Sequence, residues 1–473
     1  MYLLLKNSIR WASLFGPALF LFSCASYNRQ ATTYYTNLVS GNYQKASDAL
    51  DHNKLLNKKR NRLLYLLEKG KMLHLSGKYG ESNRCFNEAD LLMEDARITV
   101  KDVALGTLLN PMMEGYKGED FEKYMVHYYK ALNYLQLSQP EEALVEAKRI
   151  SLRSYAQEDK NGSKNLYTSD AFSFMLQGLI YEKNKDINNA FIAYRNAADI
   201  YLNNGGNYYG VEMPQQLKKD LLRTAYLNGF TQELERYEQL CHQQYKKEEA
   251  FDGEVILFWE NGLAPVKGEQ NLFFTLTDAG GGNFVFVDGT GLFQIPFDFG
   301  SGFNDRAKLS SLKTFRIAIP RYMQQPEYFQ QAVLSLNAVS YQLEEAQSIN
   351  DLAFATLKER MIKDLSKTLT RLAIKKLAEA AAKPAEDEKD KDKKARKEAL
   401  SLGIQVFSLA SEKADTRNWQ SLPHTISYVR MPLQKGSNHL ALELSSSKGG
   451  KKTELTIENR GGMHFYNFCS IRL

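Results

Sequence analysis

Few side chains in this sequence are placed to do chemistry, and the clearest group surrounds Arg417. Its guanidinium could form a bidentate pair with the carboxylate of Asp415 or of Glu412, and Trp419 follows two residues later. One interpretation is that Arg417 and Trp419 line a groove for a glycan or a peptide. The alternative is a buried ion pair and an aromatic wedge that hold the two halves of the chain together.

Trp259 and Glu260 are the second candidate pair. They end a predicted strand immediately before Asn261 and Gly262, a dipeptide typical of a tight turn. At such a position the indole and the carboxylate could reach a ligand. The sequence therefore predicts partner-binding roles, and not catalytic ones, for Trp259, Glu260, Arg417 and Trp419.

Motifs of known enzyme classes are missing from the chain. It has no His-Glu-x-x-His pair, no Gly-x-Ser-x-Gly elbow and no Walker loop. Its seven histidines are scattered singly, and its four cysteines lack the paired spacing of a zinc site or a disulfide framework. We therefore expect a protein that is not an enzyme, with no cofactor and no metal.

The first 24 residues predict the compartment. Lys6 and Arg10 give a basic start, and Trp11 to Phe22 is an apolar stretch too short to span a bilayer comfortably. Residues 1–23 are therefore a predicted signal peptide. Their end resembles the lipobox of bacterial lipoproteins, which implies that Cys24 is acylated and becomes the new amino terminus. Its acyl chains would attach the protein to a membrane.

The residue after the cysteine refines this expectation. Ala25 is not the Asp that retains lipoproteins in the inner membrane of some bacteria, so the resemblance implies the outer membrane, facing the periplasm. Ser26 to Arg29 lack an acidic export cluster, which leaves display on the cell surface as the alternative.

Composition limits the class of partner. The 473 residues include 43% hydrophobic and 25% charged residues, as in ordinary globular proteins. The net charge of +6 is too small for a dedicated nucleic-acid binder, so no nucleic-acid partner is expected.

Residues 24–250 predict a solenoid of tetratricopeptide-like helical hairpins. Small and aromatic residues recur at the offsets of this repeat: Gly178 and Ala190 would lie where the two helices meet, and Tyr194 would fill the groove between them. The stretch that contains Gly70 and Phe86 fits the same offsets. A weaker match begins at His127. The inner positions of such an array would bind an envelope protein partner.

Residues 251–473 predict a mixed α/β region with antiparallel strands, so the fold class is α+β. Strand patterns occur in 251–383, a balanced charged linker occupies 384–399, and a helix plus a C-terminal β-sheet module fills 400–473. The apolar stripe between Gln330 and Lys383 predicts a long helix.

Three segments carry a further resemblance: Glu260 to Lys267, Ile317 to Pro320, and Ala414 to Pro423. They resemble a family of uncharacterised bacterial envelope lipoproteins with N-terminal repeats. Some relatives are encoded near lipoprotein activators of peptidoglycan synthases, so the resemblance implies a role in envelope or peptidoglycan assembly.

The resulting hypothesis is a lipid-anchored periplasmic scaffold. The alternatives are a glycan-binding or uptake lipoprotein, or an envelope enzyme with its site in residues 251–473. A deep cleft with several carboxylates would favour the enzyme, and an open concave array would favour the scaffold.

Overall fold

The computed structural model describes residues 27–94, 112, 114–161, 169–247, 251–280, 283–291, 293–297, 314–382 and 413–471. The predicted signal peptide 1–23, Cys24, the charged linker 384–399 and the helix predicted after residue 400 lie outside the described residues.

The first half of the described chain folds into consecutive helical hairpins, in which two helices are joined by a short turn. Adjacent helices pack against one another along the whole series. The helices are α1 (Tyr27–Val39), α2 (Tyr43–Asp51), α3 (Arg62–Leu75), α4 (Tyr79–Glu94), α5 (Asp120–Gln136), α6 (Pro140–Asn161), α7 (Ala171–Lys183), α8 (Ile187–Asn203), α9 (Gln215–Leu227) and α10 (Thr231–Cys241).

Small residues allow these helices to approach closely, as the spacing predicts. A Cβ atom at Gly178 would overlap the ring of Tyr194, and one at Gly70 would lie 2.7 Å from the ring of Phe86. The aromatic ring of the second helix thus fills the space that the missing side chain leaves in the first. The hairpins α3–α4 and α7–α8 are confirmed as close-packed pairs.

Strands dominate the second half. A short ribbon of β1 and β2 follows α8, and the other strands form three four-stranded sheets. The strands are β1 (Asn207–Tyr208), β2 (Val211–Glu212), β3 (Gly253–Asn261), β4 (Val266–Gly280), β5 (Asn283–Asp288), β6 (Gln294–Phe297), β7 (Thr314–Met323), β8 (Gln331–Leu336), β9 (Val339–Gln342), β10 (Glu344–Ser348), β11 (Thr425–Leu433), β12 (Gly436–Ser446), β13 (Gly449–Asn459) and β14 (Gly462–Ser470). The α+β class is confirmed.

Two of the sheets form a sandwich. Sheet I has the strand order β10-β11-β3-β14, and sheet II has the order β13-β12-β8-β9. Alternate residues of β3 point to opposite faces. Val255, Leu257 and Trp259 pack in a core with Leu334 and Leu442 of sheet II. The other face of sheet I packs on the helical hairpins.

The predicted helix over Gln330–Lys383 is partly wrong. Helix α11 (Ile349–Ala382) begins only after β8, β9 and β10. Ala332 and Leu334 alternate with more exposed residues and pair in register with Leu444 and Leu442 of β12. This pairing partner lies more than a hundred residues away, so the local pattern does not reveal it.

The predicted division between 251–383 and 400–473 also needs correction, because the C-terminal strands do not form a sheet of their own. β11 and β14 flank β3, and β12 pairs with β8. The β14–β3 pair is parallel, unlike the other strand pairs described here. Each of the first two sheets is therefore built from both predicted regions.

Helix α11 connects the sandwich to sheet III, which has the order β6-β5-β4-β7. Leu365, Leu369 and Leu372 of the helix pack with Phe286 and Ile317 of this sheet. Among the described residues, no helix combines the length and the apolar character that a membrane crossing requires.

Candidate functional site

All four predicted partner-contact residues lie inside the protein. Three of them are at the interface between the helical hairpins and the β region, and Trp259 is in the sandwich core. Their exposed fractions are 3% for Trp259, 0% for Glu260, 1% for Arg417 and 0% for Trp419. In this conformation they contact other parts of the same chain.

Glu260 joins β3 to the helices through a buried ion pair. Its carboxylate accepts hydrogen bonds from the ammonium of Lys71 on α3, from Tyr128 Oη at 3.2 Å and from Asn467 Nδ2 at 2.8 Å. Burial opposes a charge on Glu260, but the ammonium of Lys71 outweighs it, so the pKa of Glu260 lies below the ordinary value.

His74 completes this group as a neutral imidazole. Its Nδ1 lies 2.6 Å from Asn133 Oδ1, and Asn467 Nδ2 lies 2.9 Å from its Nε2. Burial, with the nearby charge of Lys71, lowers the pKa of His74 to about 4. A neutral ring can donate at Nδ1 and accept at Nε2, as this geometry requires.

Arg417 links the segment before β11 to the loop before α3. Its Nε and Nη2 bond the two oxygens of Asp415 at 2.8 and 2.7 Å, the bidentate geometry that the sequence allows. Its Nη1 donates to Asn61 Oδ1 at 2.7 Å and to the carbonyl of Glu114 at 3.0 Å. Its guanidinium also lies over the ring of Tyr116, 5.5 Å from the centroid.

Trp419 fills the space between helices. Its ring centroid is 5.7 Å from that of Phe86 and 5.7 Å from that of Tyr129. Its backbone N–H donates to Glu122 at 2.8 Å, and the next backbone N–H, of Gln420, donates to Glu68 at 3.0 Å. The segment thus places backbone donors against buried carboxylates of α5 and α3.

Trp259 points to the opposite face of β3, into the sandwich core. Its Nε1 donates to Ser470 Oγ of β14 at 2.7 Å. The sequence placed Trp259 and Glu260 beside one ligand, but neighbouring residues of a strand face opposite ways.

We use the term inner face for the side of α3, α5 and α7 that meets sheet I. Tyr128 and Phe172 pack edge-on against Phe258, with ring centroids about 6 Å apart. Gln136 and Lys183 donate to backbone carbonyls of β14 at 2.8 and 2.6 Å. The β region therefore covers the part of the array that was expected to bind a protein partner.

The partners of Glu260 and Trp419 were missed in the sequence. Glu68, Lys71 and His74 lie on one helical stripe with Leu64 and Leu67, all of them buried. Charged residues at the buried positions of an amphipathic helix are the signal that could have found them, because such charges need a buried partner.

One buried cluster has the residue types of a metal site. Asp90, His127 and Glu146 bring their ligand atoms within 4.8 Å of one another. The ammonium of Lys130 already contacts Asp90 at 3.1 Å and Glu146 at 2.9 Å, and Arg149 contacts Asp90 at 2.5 Å. These cations balance the carboxylates, so the geometry favours an ion-pair network between α4, α5 and α6.

A large cleft of about 1540 Å³ opens beside the last hairpin. It lies between α9, the segment after α10, and the strands β9, β10 and β11. Part of its wall is ionic, since Arg430 contacts Glu182 at 2.9 Å, Asp220 at 2.8 Å and Glu254 at 2.6 Å. Glu344 accepts hydrogen bonds from the first backbone N–H groups of α9.

The edge strand β9 borders this cleft. It pairs only with β8 in sheet II, so its other side carries backbone groups that no described strand pairs. Its residues Ser340, Tyr341 and Gln342 line the cleft, and Val339 is 54% exposed. This is the arrangement that accepts an added strand from another molecule.

Comparisons with known proteins give little. No family model matches the chain, and no curated protein is significantly similar to it. Among solved structures, MamA residues 41 to the end from Desulfovibrio magneticus RS-1 is 15% identical, with a TM-score of 0.28, and the match covers 45% of this chain and 94% of that one. A second MamA structure gives 15% identity, a TM-score of 0.28, and coverage of 45% and 88%. Likeness at this level carries no argument.

Proposed function

We propose that the protein is a lipid-anchored envelope scaffold that binds an extended segment of a protein partner at β9. The observation that carries this proposal is the edge of β9 that no described strand pairs, beside the 1540 Å³ cleft, in a molecule whose inner face is already covered by its own β region. The binding surface would then be the cleft and not the interior of the repeats.

An edge strand and a cleft together suit this type of ligand. Backbone N–H and C=O groups of β9 would supply affinity through main-chain hydrogen bonds. Side chains of the partner would enter the cleft, where the half-buried rings of Tyr341 and Tyr245 offer apolar contacts. Because main-chain pairing is independent of sequence, these pockets would determine specificity.

The anchor and the compartment belong to the same proposal. Acylation of Cys24 would attach the chain to the outer membrane, facing the periplasm, with the cell surface as the alternative. The glycine and aromatic packing of α3–α4 and α7–α8 is what a tetratricopeptide-like array requires, and this supports the proposed scaffold class. The resemblance to envelope lipoproteins extends the proposal to envelope or peptidoglycan assembly.

A glycan ligand is the second candidate, favoured by the carboxylates and tyrosines of the cleft. Of the carboxylates, Glu254 is paired with Arg430, and Glu344 caps α9. Partial burial, together with Asp351 and Glu327, raises the pKa of Glu345 to about 7. A glycosidase needs two facing carboxyl groups. We therefore propose glycan binding, and not hydrolysis, for this alternative.

Site-specific photocrosslinking in native membranes tests the scaffold. A photoreactive phenylalanine derivative at Gln342, on β9, is expected to crosslink to one envelope protein. The same group at Phe273, an exposed residue of sheet III, is the control and should not capture that protein. Crosslinks at Phe273 but none at Gln342 would contradict the proposal.

Mass spectrometry of the mature protein tests the anchor separately. We expect an acylated Cys24 as the first residue. An unmodified chain that begins elsewhere would reject the lipoprotein assignment and leave the cleft proposal intact.

A further inference from the structure

The loop between α2 and α3 concentrates positive charge. Five basic residues occur between His52 and Arg62, whereas no acidic residue occurs from His52 to Leu67. The whole chain has a net charge of only +6, so this short loop is far more basic than the rest. The basic residues are Lys54, Lys58, Lys59, Arg60 and Arg62.

The loop has a defined shape that turns its lysines outward. Asn53 Oδ1 accepts hydrogen bonds from the backbone N–H groups of Leu55 and Leu56 at 2.9 and 3.0 Å. Asn61 Nδ2 donates to the carbonyl of Leu55 at 2.8 Å. Both leucines are buried, while Lys54, Lys58 and Lys59 are exposed.

These lysine charges are available to an external partner. Arg62 is held by Glu88 in a bidentate pair with distances of 2.8 and 2.8 Å. Within the described residues, no carboxylate forms an ion pair with Lys54, Lys58 or Lys59. The three lysines are exposed, and no carboxylate of the described residues lies at contact distance from their ammonium groups.

The topology places this loop beside the start of α1. The chain reverses at the turn between α1 and α2, and α2 runs antiparallel to α3, as the contacts of Asp51 with Lys69 at 2.8 Å and of Gln44 with Lys78 at 2.9 Å show. The amino terminus of α1 and the loop after α2 thus lie at the same end of the helices.

Covalent geometry then limits the distance to the anchor. Tyr27, the first residue of α1, follows Cys24 by three residues, which span at most about 11 Å in any conformation. A helix is about 10 Å wide with its side chains, so a loop two helices away remains close to the anchored end. That end of the molecule must lie near the membrane surface if Cys24 is acylated.

We propose that Lys54, Lys58 and Lys59 form a docking surface for anionic phospholipid headgroups. This inference rests on the proposed acylation of Cys24, which would bring the loop to the bilayer. Each lysine near an anionic surface adds about 1 kcal/mol, a factor of about five in affinity. The surface would orient the molecule with the first hairpin toward the membrane.

Vesicle sedimentation of the unacylated mature chain tests the surface without the anchor. The chain from residue 24 carries Cys24→Ser, and the vesicles contain phosphatidylcholine and phosphatidylglycerol in a two-to-one ratio. We expect binding that weakens as salt is added and is absent on pure phosphatidylcholine. The variant Lys54→Gln, Lys58→Gln, Lys59→Gln should bind about 100-fold more weakly.

A matched control removes the same charge elsewhere. Lys451 of β13 is exposed, as are Lys435 and Lys448 in the turns before and after β12. Their joint change to Gln should alter vesicle binding less than about twofold. Circular dichroism checks that both variants are folded. Equal loss in the two variants, or equal binding to pure phosphatidylcholine, would overturn the proposal.

Inorganic phosphate distinguishes a membrane surface from a small-anion site. Millimolar phosphate at constant ionic strength should leave vesicle binding unchanged, and competition by phosphate would reject membrane docking. Because this assay omits the acyl chains, its failure is separate from failure of the Cys24 assignment, which mass spectrometry detects.

Discussion

The two faces of sheet I both bury apolar side chains, but only the face toward the helices also buries a network of charged groups. On β3, Val255 and Leu257 enter an apolar core with sheet II. Glu260, on the other face, enters a charged interface with α3. On β11, Met431 faces the sandwich, whereas Arg430 faces Glu182 and Asp220 of the helices.

This difference separates stability from specificity. An apolar core stabilises the fold in proportion to the area it buries, and it tolerates replacement of one apolar side chain by another of similar volume. The desolvation cost of a buried ion pair is close to the attraction between its charges, so the pair adds little net stability. If the two elements pack in another position, however, one charge stays buried without its partner, which is strongly unfavourable. We infer that the buried ion pairs of the helical face fix the position of the β region, and that apolar side chains on both faces supply most of its stability.

The largest expected effect comes from breaking the buried pair. Glu260→Leu leaves the buried ammonium of Lys71 without its counter-charge, so the free energy of unfolding should fall by about 3–5 kcal/mol. The double variant with Lys71→Met should recover most of this loss. Urea unfolding measures both.

The comparison on the apolar face is Leu257→Ala, three residues before Glu260 and on the opposite side of β3. Leu257→Ala should lower the free energy of unfolding by about 3 kcal/mol, and adding Lys71→Met should not reduce this loss. Additive losses for Glu260→Leu and Lys71→Met would show that the two faces do not differ in the way we infer.

The second effect depends on pH and concerns His74 at the charged face. Its pKa falls to about 4 from an ordinary 6.5, because burial and then Lys71 disfavour its charged form. Between pH 6.5 and pH 4 the imidazole of His74 is protonated in the unfolded chain but not in the folded chain. The contribution of His74 to the free energy of unfolding therefore falls by about 2 kcal/mol from pH 7 to pH 5.

The variant His74→Gln should lack this part of the pH dependence. The effect of His74 must be taken from the difference in unfolding free energy between wild type and variant at each pH, because Glu122 changes the stability of both proteins in the opposite direction. Burial and then Glu119 raise the pKa of Glu122 to about 7, so its contribution to stability increases as the pH falls. Parallel stability profiles for the two proteins would contradict the assignment.

The smallest effect concerns the one hydrogen bond described from Trp259 on the apolar face. Ser470→Ala removes the acceptor of the indole N–H and should cost about 1–2 kcal/mol, because the donor stays buried. Ser470→Thr keeps the hydroxyl and serves as the control. A loss as large as that of Glu260→Leu would indicate that a polar contact also dominates the sandwich face.

Local patterns predicted much of the helical half and several strands. The pairs Gly178–Tyr194 and Gly70–Phe86 lie 16 residues apart in the chain and pack as the spacing indicates. Strands were also predicted within β3 to β7 and β11 to β14. In these cases the signal lies within one helical hairpin or one strand, although β11, β12 and β14 pair with strands that are distant in the chain.

Long-range pairing explains what was missed. β8 to β10 lie within the segment predicted as helix, and two of them pair with strands far along the chain: β8 with β12 and β10 with β11. Arg417 and Trp419 were singled out in the sequence, with a ligand groove and a buried internal contact as the two interpretations. Their partners Asn61 and Glu122 are about 300 residues or more away.

The sequence by itself determined the helical hairpins, the α+β class and the charge of the loop from His52 to Arg62, because each depends on neighbouring residues. Only the tertiary structure decided that Lys71 meets Glu260, 189 residues later, and that the β region covers the inner face. The physical reason is that a buried charge needs a specific partner, and only the folded chain determines which distant residue reaches it.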